Sequence, residues 1–147
     1  MDRHKSNRTH ERGATLVEFA IAATVFLTSM FAVVEFGRAL WTHNALADAA
    51  RRGARYAVIN APDAAKVKNV VVYGNDAGTG QPILNNLTTA NVDVSYNNFA
   101  VNKGTVSVSI TNYQFQFVVP LIGTTIQMPA YNTTLTGESI GFVPVDK

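Results

Sequence analysis

Apolar and polar positions follow three different periods along this chain. From position 14 to position 34 they show no alternation at all: 21 residues carry a single charge, Glu18, and the other interruptions are Thr and Ser. A hydrocarbon core of about 30 Å is crossed by roughly 20 apolar residues in a helix, so this stretch is long enough to span a bilayer. Beyond it the period becomes helical. Phe36, Leu40, Ala47, Ala50, Ala54 and Ala57 recur at three- and four-residue spacing, while Arg38, Asp48, Arg52 and Arg55 lie mainly away from them. Asn60, Ala61 and Pro62 end the helix, because Asn tolerates a C-terminal cap and the residue before proline avoids helical angles. Residues 14–59 would form a rod of roughly 70 Å at 1.5 Å per residue.

From Val92 the period drops to two. Val92, Val94 and Tyr96 alternate with Asp93, Ser95 and Asn97, and Val106, Val108 and Ile110 alternate with Ser107, Ser109 and Thr111. Asn97 to Gly104 is read as the hairpin loop between these strands. Gln114 and Gln116 alternate with Tyr113, Phe115 and Phe117, ahead of the apolar run Val118-Val119-Pro120-Leu121-Ile122-Gly123, which is too short to span and reads as core or subunit contact. Residues 132–139 form a further strand with Leu135 inward. Between rod and strands, Pro62 and Asp63 open a short helix to about Val71, and glycines with Asn75 and Asp76 make 74–81 a loop followed by irregular chain to Ala90. Two strands with one apolar face need a covering element, and the helix supplies it. The fold class is α+β: a long N-terminal transmembrane and amphipathic helix packed against a small antiparallel β-sheet head.

Composition narrows the function. The 147 residues are 47% apolar with net charge +2, which is too small and too scattered for a nucleic-acid footprint. There is no cysteine, hence no disulfide frame, thiolate metal site or thiol nucleophile. Asp63, Asp76, Asp93, Glu138 and Asp146 are scattered with no histidine near them, His43 reads as a partly exposed helix residue, and no Gly-x-Ser-x-Gly occurs. Gly78-Thr79-Gly80 is too short for a phosphate cradle. No enzyme, metal site or cofactor is expected.

Glu18 is the feature that needs a reason. A carboxylate at mid-membrane costs on the order of 2.5 to 3.5 kcal/mol, so it should have a partner or lie near an interface. One reading is interfacial, since Glu18 is only the fifth residue of the apolar segment. The other starts at Gly13, where the charged leader stops. Cleavage after Gly13 would make Ala14 an N-terminus whose amine, of pKa about 7.7 to 8.0, is largely cationic at neutral pH. Glu18 would then be residue five of the shortened chain, able to accept the amine of a neighbouring copy and so fix its height.

Gly13, Ala14 and Glu18 resemble the processing site of type IV pilin-like proteins, with Ala14 where many have Phe and Phe19 where small Flp-type pilins often have Tyr. Downstream, Glu35-Phe36-Gly37-Arg38 and Ala49-Ala50-Arg51-Arg52-Gly53-Ala54-Arg55 are similar to the TadE-like family of the tight-adherence (Tad/Flp) pilus system. The resemblance covers about the first 60 residues. It implies a minor pilin or pseudopilin whose partners are a prepilin peptidase, other pilin subunits along the helix, the inner-membrane assembly machinery and lipid. The implied organisation is a cytoplasmic leader (1–13), a transmembrane helix (14–34), its extramembrane continuation (35–60) and a periplasmic or extracellular head (61–147). Arg3, Lys5, Arg8 and Arg12 agree with a cytoplasmic N-terminus in the inner membrane. The competing class is an uncleaved, membrane-tethered binding or assembly protein whose head presents Tyr96 and the aromatics between Tyr113 and Phe117 to a ligand.

Overall fold

In the computed structural model, which describes residues 7–100, 103–118 and 125–137, the apolar and amphipathic stretches are one uninterrupted helix, α1 (Asn7–Ile59). Its 53 residues make a rod of about 80 Å. It begins inside the charged leader rather than at Ala14, because no proline stands between Asn7 and Gly13 and a nucleated helix propagates backward through any tolerant sequence. It ends where expected, with Asn60 donating from its backbone and side chain to the Tyr56 carbonyl at 3.1 and 2.9 Å. The first six residues of the leader, the run from Val119 to Gly123 and the tail with Glu138, Ser139 and Asp146 lie outside the described residues.

Helix α2 (Ala64–Tyr73) is capped by Asp63, whose carboxylate accepts from the backbone N–H groups of Ala65 and Lys66 at 3.0 and 3.2 Å. It runs two residues past the expected end at Val71 and stops at Gly74, which takes the left-handed conformation with φ of 77°. The β-branched run at its end stays helical because Val67, Val70, Val71 and Val72 are all buried by the fold, and tertiary burial overrides their weak helix preference.

Strands β1 (Val92–Ala100) and β2 (Lys103–Ile110) pair antiparallel, with Val94 opposite Val108. The strands continue deeper into the turn than the expected loop of Asn97 to Gly104, with a register shift between Asn97 and Ala100. Gly104 is required there: its φ is 79°, and a Cβ would overlap the carbonyls of Asn97 and Asn98. Short strands β3 (Gln114–Gln116) and β4 (Thr125–Gln127) form a separate two-stranded sheet, and β5 (Tyr131–Thr136) returns to the far side of β2, giving the order β1-β2-β5. Leu135 is half-buried and packs against the core, as its position in the strand predicts.

One core joins these parts. Leu46, Ala49, Ala50, Ala54 and Ala57 of α1 meet Val67 and Val71 of α2 and Val106, Val108 and Ile110 of β2. Small side chains on α1 bring the sheet and α2 close to its backbone, so beyond His43 the stripe is core within the chain. Phe36 and Leu40 are a correction to it: they are 66% and 49% exposed. Ala54 and Val58, each eighteen residues or five turns further on the same side, are buried. The difference is height along the rod, not angle around it, because the head does not reach that side of the helix so low.

Residues down the head meet successively earlier residues of α1. A Cβ on Gly53 would stand 3.4 Å from Val108, His43 bonds Tyr131 opposite Ile110, and Arg38 lies on Phe115 of β3. Among the described residues the two-stranded sheet is therefore the part of the head nearest the apolar half of α1.

Gly53 is the tightest point of the core, since a Cβ there would overlap Cγ2 of fully buried Val71. Gly53→Ala should destabilise the head by about 1 to 2 kcal/mol, overpacking outweighing the roughly 1 kcal/mol gained in helix propensity. Combined with Val71→Ala the cost should fall below the sum of the two single changes. Denaturant titration of the detergent-solubilised chain, followed by near-UV circular dichroism, measures both.

Candidate functional site

Two stretches of α1 carry the candidate residues, and they have opposite environments. Along the first, every residue from Gly13 to Val34 is exposed except half-buried Ala23. Among the described residues this is the one helix long and apolar enough to cross a membrane, and its apolar window is entirely uncovered by the rest of the protein. Two of its polar side chains are satisfied within the helix: Thr24 donates to the Ala20 carbonyl and Ser29 to the Val25 carbonyl, both at 2.8 Å. Gly13 and Ala14 lie within continuous helix, and a Cβ on Gly13 would meet nothing within 4 Å. Glu18 is exposed on the apolar cylinder, and no salt bridge to it occurs among the described residues.

The second stretch begins at Glu35, which is 7% exposed and so is the first residue of α1 that the head buries. Burying a carboxylate is costly unless it is paired. Arg38, one turn on, donates from one guanidinium nitrogen to both carboxylate oxygens at 2.8 and 2.6 Å. The same guanidinium lies over the Phe115 ring, 5.1 Å from its centroid, and Phe115 meets Phe117 edge-on at 5.3 Å. Arg38 was expected to point away from the packed side, and it instead fastens α1 to β3.

The motif Glu35-Phe36-Gly37-Arg38 thus divides: its charged ends hold the head, while Phe36 and Gly37 are exposed. The second motif divides by face. Ala49, Ala50, Gly53 and Ala54 are core, and Arg51, Arg52 and Arg55 are exposed, with Arg51 paired to Asp48 at 3.1 Å.

Several residues that matter here carry no sequence signal. Thr42 and Leu46 belong to the buried face, and His43, exposed as expected, bonds the Tyr131 hydroxyl through Nδ1 at 2.8 Å. Tyr113 donates its hydroxyl to the Asn85 carbonyl at 2.8 Å. Tyr113 and Phe115 are buried, and Tyr96 and Phe117 half-buried, so these aromatics are core rather than the ligand-presenting surface that the tethered-binder reading needs. A cavity of about 250 Å³ opens beside them, lined by Arg38, Trp41, Asn85, Asn86, Tyr113 and Phe117 among others. It holds no nucleophile beside a base. Among the described residues there is no group of His, Asp and Glu able to hold a metal.

Residues 13–55 match the family model described as TadE-like protein, and this window holds Gly13, Glu18 and both downstream motifs. The resemblance read from the sequence is thereby matched over this part of α1, which is less than a third of the chain. No curated protein and no solved structure matches the chain.

Arg38→Ala should strand the Glu35 carboxylate beneath the head and cost about 1 to 2 kcal/mol, between the values for exposed and buried pairs because the arginine is partly solvated. Adding Glu35→Gln should recover part of that loss. Trp41 emission during denaturation reads both variants, since Trp41 lines the same cavity.

Burial pushes the Tyr113 phenol above its ordinary value against a smaller opposing effect of Arg38, and burial also raises Tyr131. A raised folded pKa means the stability contribution is intact below pH about 10 and is lost as pH climbs through the folded value. Thermal melts should therefore fall steeply above pH 10. Tyr113→Phe should flatten that fall while costing about 1 kcal/mol at neutral pH for the lost hydrogen bond.

Proposed function

We propose that the chain is a minor pilin or pseudopilin of a Tad/Flp pilus, made as a single-pass inner-membrane precursor and cut after Gly13 by a prepilin peptidase. The observation that carries this reading is the division of α1: the head grips only the part from Glu35 onward, leaving residues 14–34 uncovered with one carboxylate on them. An uncovered apolar rod suits two successive environments, lipid before assembly and neighbouring rods within a filament.

The position of Glu18 supports the same reading. The helix neighbours one turn away, Ala14, Thr15, Ile21 and Ala22, supply no cation. Cleavage would create one at Ala14, which packing of parallel copies offers to the carboxylate next door. Glycine content points the same way. Gly53 is required by the core, whereas side chains at Gly13 and Gly37 would meet nothing within 4 Å. A glycine inside a helix costs roughly 0.5 to 1 kcal/mol relative to alanine, so these two answer to something outside the folded chain. At Gly13 that is the peptidase, which must open the helix around the bond it cuts.

Co-expression with a prepilin peptidase should remove the first thirteen residues, read as intact mass, and Gly13→Leu should leave the full chain. Glu18→Ala should still be cut but fail to support piliation. Persistence of the leader in functional protein from its host would leave a tethered envelope protein in place of a pilin.

A further inference from the structure

The two-stranded sheet stands at a particular height on the rod. Arg38, on which Phe115 rests, is four residues beyond Val34, so Phe115 meets the rod about 6 Å past the apolar run. A headgroup layer is roughly 5 to 8 Å thick on each side of the hydrocarbon. The sheet also presents the side chains that such a layer favours. Val118 is 72% and Ile126 50% exposed, and on the adjoining turns of α1 Phe36, Leu40 and Trp41 are exposed as well. Gln114, Gln116, Gln127, Asn85 and Asn86 provide uncharged polar groups beside them.

Charge is partitioned to match. In segments 35–42, 84–86, 113–118 and 125–128 the only ionisable acids and bases of full charge are Glu35 and Arg38, and these neutralise each other. Charged residues resume along α1 at Asp48, Arg51, Arg52 and Arg55, and on α2 at Lys66 and Lys68. An end that is apolar, aromatic and amide-bearing, with no net charge, enters a headgroup–acyl boundary without stranding an ion.

We infer that, while α1 spans a membrane, the β3–β4 end of the head is seated in the headgroup layer of the bilayer, so that the protein touches lipid through the head as well as the helix. Phe36 and Leu40, on the side of α1 that the head leaves open, carry the apolar surface of the span up to the same height. The seating rests on α1 crossing the bilayer and not on cleavage after Gly13, so it stands or falls separately from the processing result. Because Arg38 is already paired, the seating depends on apolar insertion and not on anionic lipid.

The chain has no cysteine and one tryptophan, which makes the test direct. Single-cysteine variants Val25→Cys, Val118→Cys, Ile126→Cys and Ala61→Cys, each nitroxide-labelled in the full chain, are reconstituted in phosphatidylcholine vesicles with and without phosphatidylglycerol. Oxygen reports lipid and a nickel chelate reports water. Labels at 118 and 126 should be several-fold less accessible to nickel than the label at 61 and remain open to oxygen, in both lipid mixtures. In the unmodified chain Trp41 should be quenched by lipids brominated near the headgroup. A label at 126 that meets nickel as freely as the one at 61, while 25 stays in lipid, overturns the seating and leaves the span intact. Shielding of 118 and 126 from both reagents also overturns it and assigns this end to protein contact, and so does an unquenched Trp41.

Discussion

A carboxylate and a guanidinium share the turn of α1 where its surroundings change. From Gly13 to Val34 the helix is uncovered, and from Glu35 onward one side of it is closed. A buried carboxylate is tolerated only with a partner, and Arg38 provides one from the same helix, three residues away. Arg38 in turn is held over Phe115, so the pair is not merely a helical ion pair but the point where the second sheet meets the rod. Slipping the head by one turn in either direction would take Phe115 off the Arg38 guanidinium and carry α2 and β2 away from the small residues they pack on, while the ion pair, lying within one helix, would stay intact. The contact between Arg38 and Phe115 therefore marks the height at which the head meets the rod.

Above that turn the constraint becomes steric. Ala49, Ala50, Gly53, Ala54 and Ala57 make a flank on which α2 and β2 lie close to the helix backbone, and Val71 occupies the space where a Gly53 side chain would be. Two unlike devices thus act on one face, charge at the bottom and close packing above. Together they hold the head on the second half of α1, and residues 13–34 are left with no covering element among the described residues.

Much of this was legible because the periods are long and distinct. The apolar run, the rod's end at Asn60 and Pro62, the two alternating strands and the covering role of the helix all follow from spacing, and the structure bears them out. What spacing misses is height. Phe36 and Leu40 share an angular position with Ala54 and Val58, and no pattern along the sequence says that the head reaches only the later pair. Glu35 was legible as part of a motif but not as buried, since the partner that permits burial sits three residues away and the ring that holds that partner lies eighty residues on. The valines at the end of α2 show the same limit: their strand preference is local, and the burial that overrides it is not.

Two of the glutamates of α1, Glu18 and Glu35, stand in opposite situations. Glu35 has a cation within a turn and is covered by the head, so its charge is answered inside the molecule. Glu18 has Ala14, Thr15, Ile21 and Ala22 within a turn, and nothing in the described structure covers it. The same physics that fixes the head at Glu35 therefore leaves Glu18 to be answered from outside, by water at an interface or by a positive group brought on another molecule. Holding the head and answering Glu18 are thus separate tasks along one rod, and no residue serves both.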